Sequence, residues 1–151
     1  MSKVSASSED YLKTIVILGG SPAKPVRSIE MARRMRVSRT AVHKALTQLK
    51  KAGLVEQAHY GQVLLTDEGF AYGQKLWKRY QYLIAFLTKG LGMTSDMAEH
   101  DACRMEHAIS DDCLERWMAY IEERDLVKDH LPSIDAVSRV HTQETVGIIL
   151  D

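Results

Sequence analysis

Residues 101 to 110, DACRMEHAIS, hold a thiol, a carboxylate and an imidazole close together. On a helix, Cys103, Glu106 and His107 stand at i, i+3 and i+4 and share a face. That donor set suits a divalent transition ion. A thiolate favours softer metals, imidazole accepts most of them, and a carboxylate admits harder ones. One turn cannot complete a coordination shell, and Asp10, at the start of a helix of its own, is the candidate for a further ligand. Spacing alone leaves a second reading open: an ordinary polar helix face with one packed cysteine. A hydrolytic reading would pair Cys103 as nucleophile with His107 as base. It lacks a Gly-rich phosphate loop, an obvious oxyanion hole and a third group to orient the imidazole, and a zinc hydrolase would want an open ligand position and a pocket. The residues point away from an enzyme.

Those donors need helices to hold them. Ser8, followed by Glu9 and Asp10, reads as a helix cap with acids on the positive end of the dipole. Tyr11, Leu12, Ile15, Val16 and Leu18 then repeat with helical spacing. GGSPAKP, residues 19 to 25, breaks that helix. Ser28 reads as the cap of a short helix ending near Arg36, and Ser38 as the cap of the next. In the latter, Val42, Ala45, Leu46 and Leu49 form the apolar stripe and Gly53 the stop. Two short helices joined by a tight turn make a helix-turn-helix. LVEQAHYGQVLLT, residues 54 to 66, changes period and reads as a β-hairpin turning at Gly61. Thr66, Asp67 and Glu68 then open a long helix to about Lys89. A helix over 95–109 follows, and another capped by Ser110. The expected fold is mainly α: a winged helix-turn-helix with a two-stranded wing over 1–70, a helical domain over 71–124, and a tail over 125–151. The ending ETVGIILD reads equally as a strand or an apolar tail.

With 151 residues, 45% hydrophobic and 26% charged, the chain suits one domain or two small ones. No apolar run approaches the roughly 20 residues of a membrane span, and the first residues lack the apolar stretch of a signal peptide. Two cysteines make no disulfide framework, so the expectation is a reducing cytoplasm and no membrane partner. The net charge of zero hides an asymmetry. Residues 1–65 carry 11 Lys and Arg against 4 Asp and Glu, whereas the rest carries 9 against 16. A basic front suggests a polyanion partner.

The helix after Ser38 would present Arg39, Thr40, His43, Lys44, Thr47, Lys50 and Lys51 on its polar side. Such a helix fits the major groove of double-stranded DNA. Thr40 and Lys44 are placed on bases; Arg39, His43, Lys50 and Lys51 on phosphates. Wing residues His59, Tyr60 and Gln62 would reach the adjacent backbone. A solvated basic face would look similar, but the order of elements and the charge together favour DNA.

The chain resembles the metal-dependent repressors of the diphtheria-toxin-repressor and manganese-transport-regulator type, from residue 7 to about residue 124. The resemblance rests on SSEDYLKTI, on the winged helix ending in GQVLLTDEG, on the long helix after it, and above all on EHDACRMEHAIS. It implies a short-form transcriptional repressor, without the SH3-like third domain of longer members, for which residues 125–151 are too few. It implies metal ligands at Asp10, Cys103, Glu106 and His107. Iron-type members pair Met on the first helix with Cys on the later one, and manganese-type members pair Asp with Glu. Asp10 with Cys103 is a hybrid, so Fe²⁺ or Mn²⁺ is implied as corepressor for metal-homeostasis genes, with Co²⁺, Ni²⁺ or Zn²⁺ able to substitute. Manganese-type members add a carboxylate one turn after the Asp, and a His on the long helix. Lys13 and Tyr80 stand there, which implies one metal per subunit, with Glu99 and His100 as possible ancillary donors. The resemblance also implies a homodimer on a palindromic operator, with Trp77, Tyr80, Leu83 and Ile84 in the dimer seam. The competing function is a winged-helix regulator that answers to a small organic ligand and takes no metal.

Overall fold

Helix α1 spans Ala6–Ile17 in a computed structural model of the chain, which describes residues 4–127. It starts a turn earlier than the sequence suggests. Ser5, not Ser8, is the cap, and its hydroxyl accepts from the Ser8 amide at 3.2 Å. Both serines have capping chemistry, but the extra turn lets α1 bury Ser8 and Glu9 as well as Tyr11, Leu12, Ile15 and Val16. The described residues form two compact units. The first runs to Gln74 and the second begins at Lys75, so the division falls inside a helix. Of the tail expected over 125–151, residues 128–151, ETVGIILD included, lie outside the described residues.

In the first unit, a short strand β1 (Val26–Arg27) leads into α2 (Ser28–Met35). The Glu30 carboxylate accepts from the Arg27 amide at 3.1 Å, so Arg27, not Ser28, is the cap residue. Arg36 ends α2 in the left-handed region at φ 55°. Ser38 then caps α3 (Arg39–Lys51) by accepting from the Ala41 amide at 3.1 Å. The wing is β2 (Val55–Gln57) and β3 (Gln62–Leu65), with Tyr60 and Gly61 both at positive φ in its turn. The wing has the two strands expected, and the sheet gains a third. β1 joins antiparallel on the free side of β3, pairing Val26 with Val63 and Arg27 with Gln62. A two-residue strand is too short to show an alternating period. Leu12, Ile15, Met31, Val42, Leu49 and Leu54 form the most deeply buried part of this unit.

Helix α4 covers Asp67–Ala85 and is followed by a π-helical turn over Phe86–Gly90. The continuous α-helix expected to reach Lys89 therefore stops earlier, and the Leu91 amide bonds back five residues to the Phe86 carbonyl. In the second unit, α5 spans Ser95–Met105 and α6 spans Asp111–Glu123, the latter capped by Ser110 as its sequence suggests. Leu83, Leu87, Ala98, Ala102 and Leu114 make one core cluster there, and Tyr82, Ile121 and Val127 a second. Phe86 meets Trp117 edge-on at 4.8 Å. The Arg79 guanidinium, hydrogen-bonded to Asp111, holds that carboxyl below its usual range.

Buried Tyr82 donates its hydroxyl to Glu122. Burial first, and the Glu122 hydrogen bond and charge second, push its pKa up from 10.0 to about 12. A folded-state value above the unfolded one stabilises fully below pH 10 and fades as pH climbs through 12. Phenolate absorbance during a pH titration should therefore contain a late component that Tyr82→Phe removes. A Tyr82→Phe curve identical to wild type would contradict the assignment.

Candidate metal centre and nucleic-acid interface

α5 stops at Met105, short of the helix expected to run to 109. EHAIS contains no Gly or Pro to mark this stop. Cys103 sits in the last turn, Glu106 is the C-cap and still helical at φ −59°, ψ −29°, and His107 follows it. The three donors thus gather at one helix end rather than along a continuous face. Cys103 Sγ and a Glu106 carboxylate oxygen lie within 4.8 Å of each other, and His107 Nε2 lies 3.5 Å from Glu106 Oε1. Bonds to an ion take about 2.0 to 2.3 Å, so donors sharing one stand roughly 3 to 4.5 Å apart. These separations are within small side-chain rotations of that. Glu106 is buried, and Cys103 and His107 are partly buried. Burial weakens competition from water, so the donor chemistry and its packing fit a divalent ion.

The other donors expected in this unit stand apart. Glu99 and His100 are exposed on α5, with His100 Nδ1 3.4 Å from Asp101, and among the described residues neither joins a cluster of metal donors. Cys113 is exposed near the start of α6. Of the four seam candidates, Leu83 is fully covered within its own chain. Trp77, Tyr80 and Ile84 are half-buried, with Trp77 stacked on Tyr80 at 5.7 Å between ring centroids.

In the first unit, α1 carries Asp10. Its side chain is 28% exposed, and Lys13, buried, brings its Nζ to 3.4 Å from Asp10 Oδ1. Next to it, the buried Glu9 carboxylate accepts from the Tyr72 hydroxyl of α4, which fixes the rotation of α1 about its axis. The sequence shows Lys13 one turn after Asp10, but gives no sign that its ammonium is packed inside.

α3 turns Val42, Ala45 and Leu49 into the core, which leaves Ser38, Arg39, Thr40, His43, Lys44, Thr47, Lys50 and Lys51 exposed. His59 is exposed and Tyr60 fully so at the wing tip, with Gln62 half-buried beside them. Between α3 and the sheet runs a cleft of about 310 Å³, lined by Arg39, His43, Thr47 and Lys50 together with Ser28 and Gln57. Ser28 and Gln57 were not legible as interface residues. The Ser28 amide is held by the Gly61 carbonyl at 2.9 Å, a consequence of the unforeseen strand β1.

A winged helix with an exposed basic helix, followed by a helical unit with clustered thiol, carboxylate and imidazole, is the make-up of a metal-responsive DNA-binding regulator. The profile of the iron dependent repressor N-terminal DNA binding domain matches residues 3–63. That of the iron dependent repressor metal binding and dimerisation domain matches residues 66–131. An uncharacterized HTH-type transcriptional regulator of Methanocaldococcus jannaschii is 30% identical over 120 residues, covering 80% of this chain and 96% of the relative. The transcriptional regulator MntR of Escherichia coli O6:H1 is 34% identical over 115 residues, 76% of this chain and 73% of its own. The solved structure of the manganese regulator SloR superposes with a TM-score of 0.67 at 29% identity. That match covers 76% of this chain and 53% of SloR, so the chain spans about half the length of that regulator. The chain belongs to the iron-dependent repressor family of metal-dependent transcriptional regulators. Among the described residues, no helix is long and apolar enough to cross a membrane.

Proposed function

We propose that this chain is a homodimeric repressor of metal-homeostasis genes, which grips a palindromic operator when Asp10, Cys103, Glu106 and His107 share one divalent ion. The observation that carries this reading is the gathering of Cys103, Glu106 and His107 at the end of α5. The Cys103 thiolate favours Fe²⁺ and other soft ions, and the carboxylates admit Mn²⁺. SloR, by its name, is a manganese regulator, which fits the second of these. When bound, an ion would be held by Asp10 on α1 and by Cys103, Glu106 and His107 at the end of α5, and would supply a positive charge drawing these donors together. Asp10 anchors α1 to that donor set, and α1 belongs to the winged-helix unit. Two recognition helices are thereby held about 34 Å apart, one turn of DNA. The switch is a population shift, in which the ion must bind the DNA-competent arrangement more tightly than the others. Thr40 and Lys44 read bases. Arg39, His43, Lys50 and Lys51 neutralise phosphates, with His59 and Tyr60 on the adjacent backbone. Trp77, Tyr80 and Ile84 contribute to the seam between protomers.

Titration of a labelled palindromic duplex, anaerobically with Mn²⁺ or Fe²⁺ and again after chelation, tests this. The metal should raise DNA affinity by about tenfold or more, the usual range for coupled sites. The salt dependence of the loaded complex should then count the phosphates its lysines and arginines cover. Equal affinity after thorough chelation would leave a winged-helix DNA binder with no metal role.

A further inference from the structure

We propose that Lys13 is a built-in competitor for the metal. Its ammonium holds Asp10 in the metal-free chain, so an ion must take or share a carboxylate that already pairs with a cation. Lys13 thereby sets the affinity of the centre. The inference rests on the reading of Asp10 as a ligand. Lysine is rarely buried unless paired, yet Lys13 is 6% exposed, on the same face of α1 as Asp10 and 3.4 Å from Oδ1. Charge-assisted hydrogen bonds are usually about 2.7 to 2.9 Å. At 3.4 Å the ammonium is an ion-pair partner that orients the carboxylate. Thr14 Oγ1 donates to the Asp10 carbonyl at 2.8 Å, which steadies the backbone on which that exchange takes place. Once an ion is bound, the same ammonium lies beside a second positive charge and repels it. Repulsion depends on charge and not on ligand softness, so it weakens every divalent ion by a similar factor. Lys13 thus sets how much metal is needed, while Cys103 sets which metal is preferred.

Calorimetric titration with Mn²⁺ and with Co²⁺ tests this on wild type, Lys13→Met, Lys13→Arg and Asp10→Asn. Lys13→Met keeps the apolar stem and removes the charge. It should bind both ions about tenfold more tightly, while its metal-free melting temperature falls. Lys13→Arg keeps the charge and should stay within about threefold of wild type on the same scale. Unchanged affinity in Lys13→Met, or a gain for one ion alone, overturns the role of Lys13 while a weakened Asp10→Asn keeps Asp10 as ligand. Wild-type affinity in Asp10→Asn instead overturns the ligand assignment itself. Should Lys13→Met fail to fold, amine acetylation of wild-type Lys13, followed by mass spectrometry, replaces it. The rate should rise on Mn²⁺ loading as the ammonium leaves Asp10, and an unchanged rate overturns the proposal.

Discussion

Cys103→Ala should lower the affinity of the purified protein for Fe²⁺ or Mn²⁺ by about a hundredfold or more, leaving DNA binding at its metal-free level at any ordinary metal concentration. Loss of a group that merely orients a ligand costs about 10- to 100-fold, and Cys103 is read as a ligand itself. Its Sγ lies within 4.8 Å of the buried Glu106 carboxylate, so truncation leaves that carboxylate and His107 to hold their end of the shell with one donor fewer. If Asp10 is a ligand as proposed, Asp10→Ala should give a loss of similar size from a different element, because one proposed donor is gone. The two variants separate two kinds of failure. If either keeps a normal DNA response to metal, that residue is not a ligand. If both do, the centre is elsewhere in the molecule. Metal affinity from calorimetry and DNA affinity from anisotropy should fall together, since the coupling free energy between the two sites is reciprocal.

Ser38 and Ser110 were legible as caps because each directly precedes an apolar stripe of helical spacing and follows a break. Ser8 misled because SASSED offers several capping residues in a row, and only burial of the extra turn selects Ser5. The end of α5 at Met105 and the π-turn at Phe86 were hidden for a related reason. No Gly or Pro stands at Met105, and the π-turn begins four residues before Gly90, where packing around Leu87 rather than a breaker residue marks the change. The metal donors were visible as residue types at a helical interval. Their environment was not: nothing in the string DYLK shows that Lys13 is buried against Asp10. Periodicity puts Leu83 on the same long helix as Trp77 and Tyr80. It cannot say that Leu83 faces inward while the other two are half-exposed. What remained illegible depends on contacts between residues far apart in the sequence, and local spacing does not encode these.

Gly69→Ala should destabilise the winged-helix unit by about 3 kcal/mol or more, against the sign that helix propensity alone predicts. Gly69 lies in the first turn of α4, where Ala would ordinarily gain about 1 kcal/mol over Gly. A Cβ there would fall on the carbonyl oxygen of Leu54 and 2.7 Å from its carbonyl carbon. Those are backbone atoms, and they cannot rotate away. The Leu54 carbonyl also accepts from the Thr66 amide at 3.1 Å, and the Leu54 amide donates to Leu49 at 3.0 Å. Thr66 Oγ1 closes the junction by accepting from the Gly69 amide at 3.0 Å and donating to the Gly53 carbonyl at 2.8 Å. Relieving the clash means parting α4 from the segment that joins α3 to the wing, at a cost above the usual 1 to 3 kcal/mol of overpacking. Gly73→Ala is the internal control. Its Cβ would meet Val16 Cγ2 at 2.6 Å, a side-chain and not a backbone atom, but one on a buried β-branched residue, so its loss should be about 1 to 3 kcal/mol and smaller than that of Gly69→Ala. Urea denaturation followed by circular dichroism measures both. A Gly69→Ala protein as stable as wild type would mean that α4 does not press on Leu54 in solution, and a stabilised one that propensity outweighs the contact.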